Sequence, residues 1–209
     1  MKFISLISSG IDSPVATYLI SKKAKEIILL HAEGTPYYDD NDTDNFVALV
    51  KHLKNIINVK TKIFIVTHGK TLTSYLESAH PRYTCVFCKR MLVRYAEKIA
   101  HKENCDAIVM GDSLGQVASQ TLKNIRVIEQ AVSIPILRPL IGLDKQEIVN
   151  ISKEIGTFDL STVSNKGCSA VPYKPATRAK LQDVLREEEK IDVNKLIMAA
   201  IDNIKLINL

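Results

Sequence analysis

The sequence contains no apolar stretch that approaches the roughly 18 consecutive residues of a membrane-spanning helix. A secretory signal is also missing, because the apolar run after Lys2 is short and leads into a glycine turn. These two absences exclude a membrane partner and predict a soluble protein of the cytoplasm.

Cysteine is scarce, and a chain without a secretory signal rarely depends on disulfides. The 209 residues include four cysteines, which we interpret as free thiols, metal ligands or redox groups. Repeats, low-complexity tracts and clear linkers are lacking too, and hydrophobic residues make up 46% of the chain, enough for one substantial core. The formal charge of +5 is compatible with a nucleic-acid partner and is also common among ordinary enzymes.

Apolar runs rich in Ile and Val lack polar alternation and predict strands buried on both faces. Segments with apolar residues three and four apart lie between them and predict helices. This alternation predicts an α/β fold with a doubly wound, mainly parallel five-stranded sheet and helices on both faces. The predicted strands are residues 3–7, 27–32, 62–67, 107–110 and 134–137, and the predicted helices are residues 13–23, 43–57, 89–104 and 116–132.

The last third of the chain is predicted to be largely helical around one irregular segment. Asp144 and Glu147 have the spacing of a capping box, which predicts a helix from there to Ile155. Residues 158–176 carry no regular pattern and predict a long functional loop. A pair of helices, residues 177–187 and 193–206, is predicted to follow.

Residues 8–13, Ser-Ser-Gly-Ile-Asp-Ser, lie between the first predicted strand and a helix with Pro14 in its first turn. A helix N-terminus offers unpaired N–H groups and roughly half a positive charge to an anion. This loop does not contain the Gly-Lys-Ser/Thr of a Walker motif, so cleavage between the β- and γ-phosphates is not expected. The segment predicts a phosphate-binding loop, and the alternative is a turn in which Ser13 or Asp12 caps the helix.

Two segments carry a resemblance to known families. The run Ser-x-Gly-Ile-Asp-Ser-Pro-Val-Ala from Ser8 resembles the loop of the PP-loop ATP pyrophosphatases, which split ATP into AMP and pyrophosphate, although Ser9 replaces a usual glycine. Residues 111–121, with Arg-Pro-Leu-Ile at 138–141 and Asp-Lys at 144–145, resemble the catalytic domain of the tRNA uracil 4-sulfurtransferases, also called thiamine-biosynthesis sulfurtransferases. This resemblance covers nearly the whole chain and implies an adenine nucleotide alpha hydrolase-like fold.

The resemblance implies an ATP site in which apolar residues contact adenine and a lysine contacts phosphate. An amide side chain there would donate and accept hydrogen bonds. The implied ATP-binding residues are Leu6, Ile7, Ser8, Gly10, Ser13, His31, Ala32, Lys89, Gly111 and Gln120. For the side chain of His31, a structural role at a strand end is the alternative. Asp12 is a candidate to position Mg²⁺ or the loop, and Lys145 to steady charge as pyrophosphate departs.

Cys85 and Cys88 form a C-x-x-C motif at the start of a helix that also carries Lys89, and these surroundings predict lowered thiol pKa values. Alone, the motif fits a redox pair, half of a zinc site or part of an iron–sulfur site. Cys168 matches the catalytic cysteine of the family, and a branch with the C-x-x-C pair holds a 4Fe-4S cluster on three cysteines. The resemblance thus implies a cluster on Cys85, Cys88 and Cys168.

Two other uses of these cysteines stay open. One is a persulfide-and-disulfide mechanism on the same thiols, and the other is a zinc site completed by His80. Cys105 precedes a buried strand and is predicted to pack in the core.

The activity implied by the resemblance is ATP-dependent 4-thiolation of a tRNA uridine, with adenylation of the C4 oxygen and release of pyrophosphate and AMP. Residues 1–180 would form the sulfurtransferase domain and residues 181–209 its helical extension. The family's RNA-binding and rhodanese modules are not found, which implies either a separate RNA-binding protein or a different substrate. A sulfur donor, sulfide or a persulfide carrier, and a homodimer are also expected. Candidate RNA contacts are Arg82, Lys89, Arg90, Arg94, Lys174, Arg178 and Lys180.

Two alternatives to this activity remain. Another PP-loop ligase or thiolase would act on a different base or a small molecule. A non-catalytic ATP-binding module would bind ATP without releasing pyrophosphate.

Overall fold

The computed structural model describes residues 1–39, 41–163 and 167–209, so part of the predicted irregular segment, residues 164–166, lies outside the described residues. The strands are β1 (Lys2–Leu6), β2 (Glu26–Glu33), β3 (Lys60–Thr67), β4 (Ala107–Val109), β5 (Ile136–Leu137) and β6 (Lys205–Ile207). The helices are α1 (Asp12–Ser21), α2 (Asp42–Ile56), α3 (Gly69–Ser78), α4 (Thr84–Glu103), α5 (Leu122–Glu129), α6 (Lys145–Glu154), α7 (Phe158–Thr162), α8 (Leu181–Glu188) and α9 (Val193–Asp202).

The strands form one sheet in the order β5-β4-β1-β2-β3-β6. From β1 the chain builds outward through β2 and β3, then returns to the other side of β1 to build β4 and β5. These five strands are parallel, and β6 runs antiparallel to β3. The predicted α/β fold with a doubly wound, mainly parallel sheet is therefore confirmed.

The predicted number of five strands is wrong, because the described residues form a sixth. The prediction extended a helix to residue 206, whereas α9 ends at Asp202 and β6 pairs with β3, with Ile207 opposite Ile63. Three residues are too few to show the period of a strand in sequence. The three residues of β6 form a strand because backbone hydrogen-bonding groups along the edge of β3 pair with them.

Both faces of the sheet are covered by helices, as the unbroken apolar runs predicted. Ile4 of β1 belongs to a core cluster on the side of α4 and α9, whereas its neighbour Phe3 packs with α1 and α6 on the other side. Both side chains are buried. Val184 of α8 and Ile197 of α9 join the same cluster as Ile4, so residues after 180 pack onto the main core. The boundary at residue 180 stays a prediction.

Several predicted helix boundaries differ from the structure. The predicted helix 116–132 is a 3-10 turn at Ala118–Gln120 followed by the shorter α5, and the predicted irregular segment begins with α7. Helix α4 begins at Thr84, before its predicted start, and α3 was not predicted. None of the helices in the described ranges is long and apolar enough to cross a membrane.

Helix α4 is fastened to α8 by a buried group of charges. Arg90 donates to Glu188 through Nε at 2.8 Å and Nη2 at 3.1 Å, and Arg94 donates to both oxygens of Glu188 at 2.8 Å. Arg90 also donates to the Val127 carbonyl at 2.5 Å. Burial pushes the pKa of Glu188 up, but the hydrogen bonds from Arg94 and Arg90 hold this pKa below its ordinary value. The two arginines are thus structural, and their predicted contact with RNA is not supported.

Replacement of Glu188 tests this fastening. We expect Glu188→Gln to lower the free energy of unfolding by about 3–5 kcal/mol, because it leaves a buried arginine without its countercharge. Urea unfolding followed by circular dichroism measures the change. The matched control is Glu189→Gln at the neighbouring exposed residue. Equal stability of the two variants would contradict the role of Glu188.

Candidate active site

A cavity of about 360 Å³ opens at the carboxyl ends of β1, β2 and β4. Strand order reverses at β1, and loops that leave neighbouring strands in opposite directions there open a crevice. The predicted site residues that line the cavity are Leu6, Ile7, Ser8, Gly10, Asp12, Ser13, His31, Ala32, Lys89, Gly111, Gln120 and Cys168. The structure therefore brings most of the predicted site together, while the roles of the individual residues stay predictions.

The loop between β1 and α1 is shaped by its own hydroxyl groups. The backbone N–H of Ser8 donates to Ser13 Oγ at 2.9 Å, and the two hydroxyl oxygens are 3.1 Å apart. No side-chain hydrogen bond caps α1 at Ile11 in the described part of the chain. The N–H groups of the first helical turn therefore face the cavity region without a cap, as an anion site requires.

The loop after β4 lies directly on the start of α1. A Cβ added to Gly111 would lie 2.8 Å from both the Cα and the backbone nitrogen of Ser13. Only glycine permits this distance between the two backbones. The contact holds the two predicted binding segments, residues 8–13 and 111–121, side by side.

Ser9 is held by a group that sequence reasoning missed. Its hydroxyl donates to Asp42 Oδ1, and Asp42 Oδ2 lies 3.3 Å from His31 Nε2, close enough for electrostatic attraction but without hydrogen-bond geometry. His31 Nδ1 lies 3.1 Å from the Ile7 carbonyl oxygen, a contact compatible with the structural role considered for this side chain. Burial raises the pKa of Asp42, but the interaction with His31 and the hydrogen bond from Ser9 outweigh this effect and lower the pKa. Ser9 does not adopt a positive φ, so serine is unstrained in place of the usual glycine.

Lys89 is directed to the cavity by a buried carboxylate. Its Nζ lies 2.6 Å from Asp112 Oδ1, and Asp112 Oδ2 accepts from Arg138 Nε at 3.1 Å. Only 3% of the Asp112 surface is exposed. Burial raises the pKa of Asp112, and the positive charges of Lys89 and Arg138 more than offset it, so the pKa is lowered. Asp112 thus stays ionised and fixes the ammonium group at the wall of the cavity.

Lys145 lies beside the loop although it does not line the cavity. Its Nζ is 2.5 Å from Asp12 Oδ1, which joins the first turn of α6 to the first turn of α1. The predicted capping box at Asp144 and Glu147 is confirmed and sets the start of α6. The pair of Lys145 and Asp12 therefore brings the two predicted catalytic charges together at the mouth of the loop.

Cys85, Cys88 and Cys168 lie close enough to affect one another's pKa values, and the lowered pKa values predicted for Cys85 and Cys88 are wrong in direction. Burial raises the pKa of Cys85 and Cys168, and burial with the nearby Cys168 and Cys85 raises the pKa of Cys88 to about 12. The cations of α4 do not offset these effects, because Lys89 pairs with Asp112 and the arginines of α4 pair with Glu188. All four cysteines are free, and Cys105 packs against the core as predicted.

Two side chains that belong to no motif contact Cys88. His68 Nε2 lies 3.2 Å from Cys88 Sγ, and Tyr38 forms a side-chain hydrogen bond with the same cysteine. Burial lowers the pKa of His68 to about 4, so the imidazole is neutral. Both residues follow strands, β2 and β3, and their position after a strand end was the one sequence signal that could have found them.

The zinc site considered for His80 gains no support. His80 Nδ1 accepts a hydrogen bond from the Arg82 N–H at 3.2 Å. Within the described residues, no group of three or more His, Cys, Asp and Glu side chains is arranged to hold a metal ion.

Known proteins are similar to this chain over almost its whole length. The family model described as Thiamine biosynthesis protein (ThiI) matches residues 1–193. A probable tRNA sulfurtransferase of Methanobrevibacter smithii is 42% identical over 204 residues, which are 97% of this chain and 54% of that protein. Another, of Methanocaldococcus jannaschii, is 41% identical over 194 residues, 91% of this chain and 50% of that protein. The chain thus spans about half the length of these curated relatives.

Solved structures show the same likeness. A 4-thiouridine synthetase in complex with RNA and bound ATP matches with a TM-score of 0.92 and 30% identity, over 99% of this chain and 55% of that chain. The U34-tRNA thiolase NcsA from Methanococcus maripaludis with its [4Fe-4S] cluster matches with a TM-score of 0.56 and 20% identity, over 97% of this chain and 70% of that chain. The second likeness, at its lower identity, shows the fold alone.

The close contact between Gly111 and Ser13 predicts that a side chain at position 111 destabilises the protein. Gly111→Ala forces the two backbones apart, and we expect it to cost about 1–3 kcal/mol of unfolding free energy. Gly142→Ala is the matched control, because a Cβ there would meet no atom within 4 Å. Thermal and urea unfolding of both variants measure the difference, and a Gly111→Ala protein as stable as the control would refute the close contact.

The buried Asp112 predicts a pH dependence. Its folded-state pKa lies below the ordinary 3.8, so its stabilisation is present above that pH and is lost as the pH falls through the depressed pKa. Asp112→Asn should therefore be less stable than the wild type at pH 7, by about 3–5 kcal/mol, and the gap should narrow in acid. Urea unfolding between pH 7 and pH 3 tests this, with the exposed Asp202→Asn as control. A gap that does not change with pH would contradict the ionised state of Asp112.

Proposed function

Because the chain belongs to the thiamine biosynthesis protein (ThiI) family, we propose that it is the ATP-using part of an enzyme that 4-thiolates a uridine of tRNA. The observation that carries the proposal is one cavity lined both by the phosphate-type loop at residues 8–13 and by Cys168. An activating site and a sulfur-handling group therefore border the same space. The names of the relatives and of the RNA-bound synthetase support this activity for the chain.

We propose one orientation for ATP in the cavity. The apolar wall of Leu6, Ile7 and Ala32 suits the adenine ring, and the uncapped start of α1 suits the phosphates. Lys89, held by Asp112, adds a positive charge from the opposite side. Asp12 lies where it can contact a Mg²⁺ ion that accompanies the phosphates, because carboxylate oxygens are ligands that Mg²⁺ prefers.

The first chemical step is adenylation of the base. The C4 oxygen of the uridine attacks the α-phosphorus of ATP, an O–P bond forms, and the bond to pyrophosphate breaks with its electron pair on the leaving group. Lys145, beside Asp12, offsets the charge that develops on pyrophosphate. The product carries AMP on C4, which turns a poor leaving oxygen into a good one.

The second step replaces that oxygen with sulfur. Hydrosulfide attacks C4 and a C–S bond forms. The C–O bond then breaks, AMP departs with the electron pair, and the S–H proton passes to solvent. No electron is transferred when sulfide is the donor. Cys168 lines the cavity, so it is the cysteine that we assign to this exchange.

The donor set at the three cysteines suits an iron–sulfur cluster. Cys85, Cys88 and Cys168 are free thiols within electrostatic reach of one another, as their effects on each other's pKa values indicate. A cluster distributes its cysteine ligands over different iron atoms, so the ligands need not surround one ion position. A bound 4Fe-4S cluster with three cysteine ligands would supply an open iron for sulfide.

Binding of tRNA is proposed to use basic side chains near the Cys168 loop. Lys174, Arg178 and Lys180 lie on the segment between Cys168 and α8, and all three are exposed. Binding through them should weaken steeply with salt, because phosphate contacts release counterions.

The proposed activity is tested with anaerobically purified protein, unmodified tRNA, ATP, Mg²⁺ and sulfide. Digestion of the RNA and mass spectrometry should reveal 4-thiouridine, with pyrophosphate released in parallel. Asp12→Ala and Cys168→Ala should each lower the rate about 100-fold or more, because each removes a group that acts at the reacting atoms.

The controls are Asp183→Ala and Cys105→Ala, which change the same residue types away from the cavity. Full thiolation by Asp12→Ala or Cys168→Ala would refute the role assigned to that residue. Pyrophosphate release without tRNA, or ATP binding without any release, would refute the proposed activity itself.

A further inference from the structure

Cys88 differs from the other two proposed ligands in what touches its sulfur. His68 Nε2 lies 3.2 Å from it, and Tyr38 forms a side-chain hydrogen bond with it. Cys168 instead receives hydrogen bonds from the backbone N–H groups of Ala170 and Val171. Side chains from the segments after β2 and β3 thus meet at one sulfur of α4.

The groups behind His68 are compatible with donation from its Nε2 to Cys88. Thr71 Oγ1 lies 2.8 Å from Tyr95 Oη, and Tyr95 Oη lies 3.4 Å from His68 Nδ1. When Thr71 donates to Tyr95, the Tyr95 hydroxyl is free to donate to Nδ1. The proton of the neutral imidazole then sits on Nε2, which donates to Cys88.

The Tyr38 hydroxyl is also a donor. A phenol has an ordinary pKa of about 10, so Tyr38 keeps its proton at neutral pH. A phenol O–H beside a sulfur anion donates to it. Once Cys88 binds iron as a thiolate it has no proton to donate, so its sulfur can accept hydrogen bonds from both side chains.

The backbone brings the two donors together. Gly69 opens α3 directly after His68, and a Cβ at Gly69 would lie 1.7 Å from the Thr35 carbonyl oxygen. The start of α3 thus lies against the segment that carries Tyr38. Neither donor depends on a flexible surface side chain, since His68 is buried and Tyr38 lines the cavity.

We propose that His68 and Tyr38 are positioning residues that anchor Cys88 as a cluster ligand and set the reduction potential of the cluster. This inference rests on the part of the proposed function that places a 4Fe-4S cluster on Cys85, Cys88 and Cys168. Hydrogen bonds to a ligating sulfur withdraw negative charge from the cluster and stabilise its reduced form. Loss of either donor therefore makes the midpoint potential more negative.

The test uses four variants reconstituted anaerobically with iron and sulfide. Tyr38→Phe and His68→Phe each delete one donor, and Tyr95→Phe removes the partner that holds the His68 tautomer. His68→Gln retains an N–H donor and is the rescue variant. Redox titration followed by electron paramagnetic resonance gives the midpoint potential, and iron and sulfide analysis gives the cluster content.

We expect a more negative potential in Tyr38→Phe and His68→Phe, a smaller shift in Tyr95→Phe, and a return toward wild type in His68→Gln. The matched control is Tyr75→Phe, which also deletes a phenol hydroxyl that is bonded elsewhere, to the His80 carbonyl at 3.2 Å. Loss of iron from Tyr38→Phe but not from Tyr75→Phe would likewise support the anchoring role. If His68→Phe does not fold, Tyr38→Phe decides the question.

Unchanged potentials and cluster content in both donor variants would overturn the inference, as would a wild type that binds no cluster. The experiment contains no tRNA and no ATP, so its outcome is separate from the thiolation assay. A potential shift without any thiolation would leave the inference standing and the proposed activity refuted. Thiolation by a protein that binds no iron would support the proposed activity and overturn the inference.

Discussion

The buried pairing of Arg90 and Arg94 with Glu188 holds α4 in place, and the candidate site depends on α4. The first turns of this helix carry Cys85 and Cys88, followed at once by Lys89. A shift of α4 along its axis would move the C-x-x-C pair and the cavity lysine together. Glu188 lies on α8, so the C-terminal part of the chain helps to position residues that act at the opposite end of α4.

The charges around α4 explain why its cysteines have raised pKa values. A cation lowers a thiol pKa when its charge is available to the sulfur. Here the arginines face Glu188, and Lys89 faces Asp112. Lys89 still lowers the pKa of Cys85 and Cys88, but burial and the neighbouring cysteines outweigh it and disfavour the thiolate. Metal binding is a way to stabilise sulfur anions in such surroundings, and the donors at Cys88 act in the same direction.

The cavity itself is built from contacts between loops and not from any single motif. Gly111 brings the loop after β4 onto the start of α1, and Ser9 ties the phosphate-type loop to Asp42 at the start of α2. Lys145 adds a third tie through Asp12. Each contact links segments far apart in the chain, and together they fix the shape of a loop whose hydroxyl groups alone would allow several conformations.

The sequence by itself determined the α/β class, the buried parallel strands, the capping box at Asp144 and the residues that line the cavity. Hydrophobic period, local capping chemistry and motif resemblance are properties of short segments, so they can be read before the chain folds. Only the tertiary structure decided the sixth strand, the raised thiol pKa values and the positions of Tyr38, Asp42 and His68. These three features depend on contacts between residues far apart in the chain. Strand β6 pairs with β3, the arginines of α4 pair with Glu188 of α8, and Cys88 contacts a histidine that follows β3.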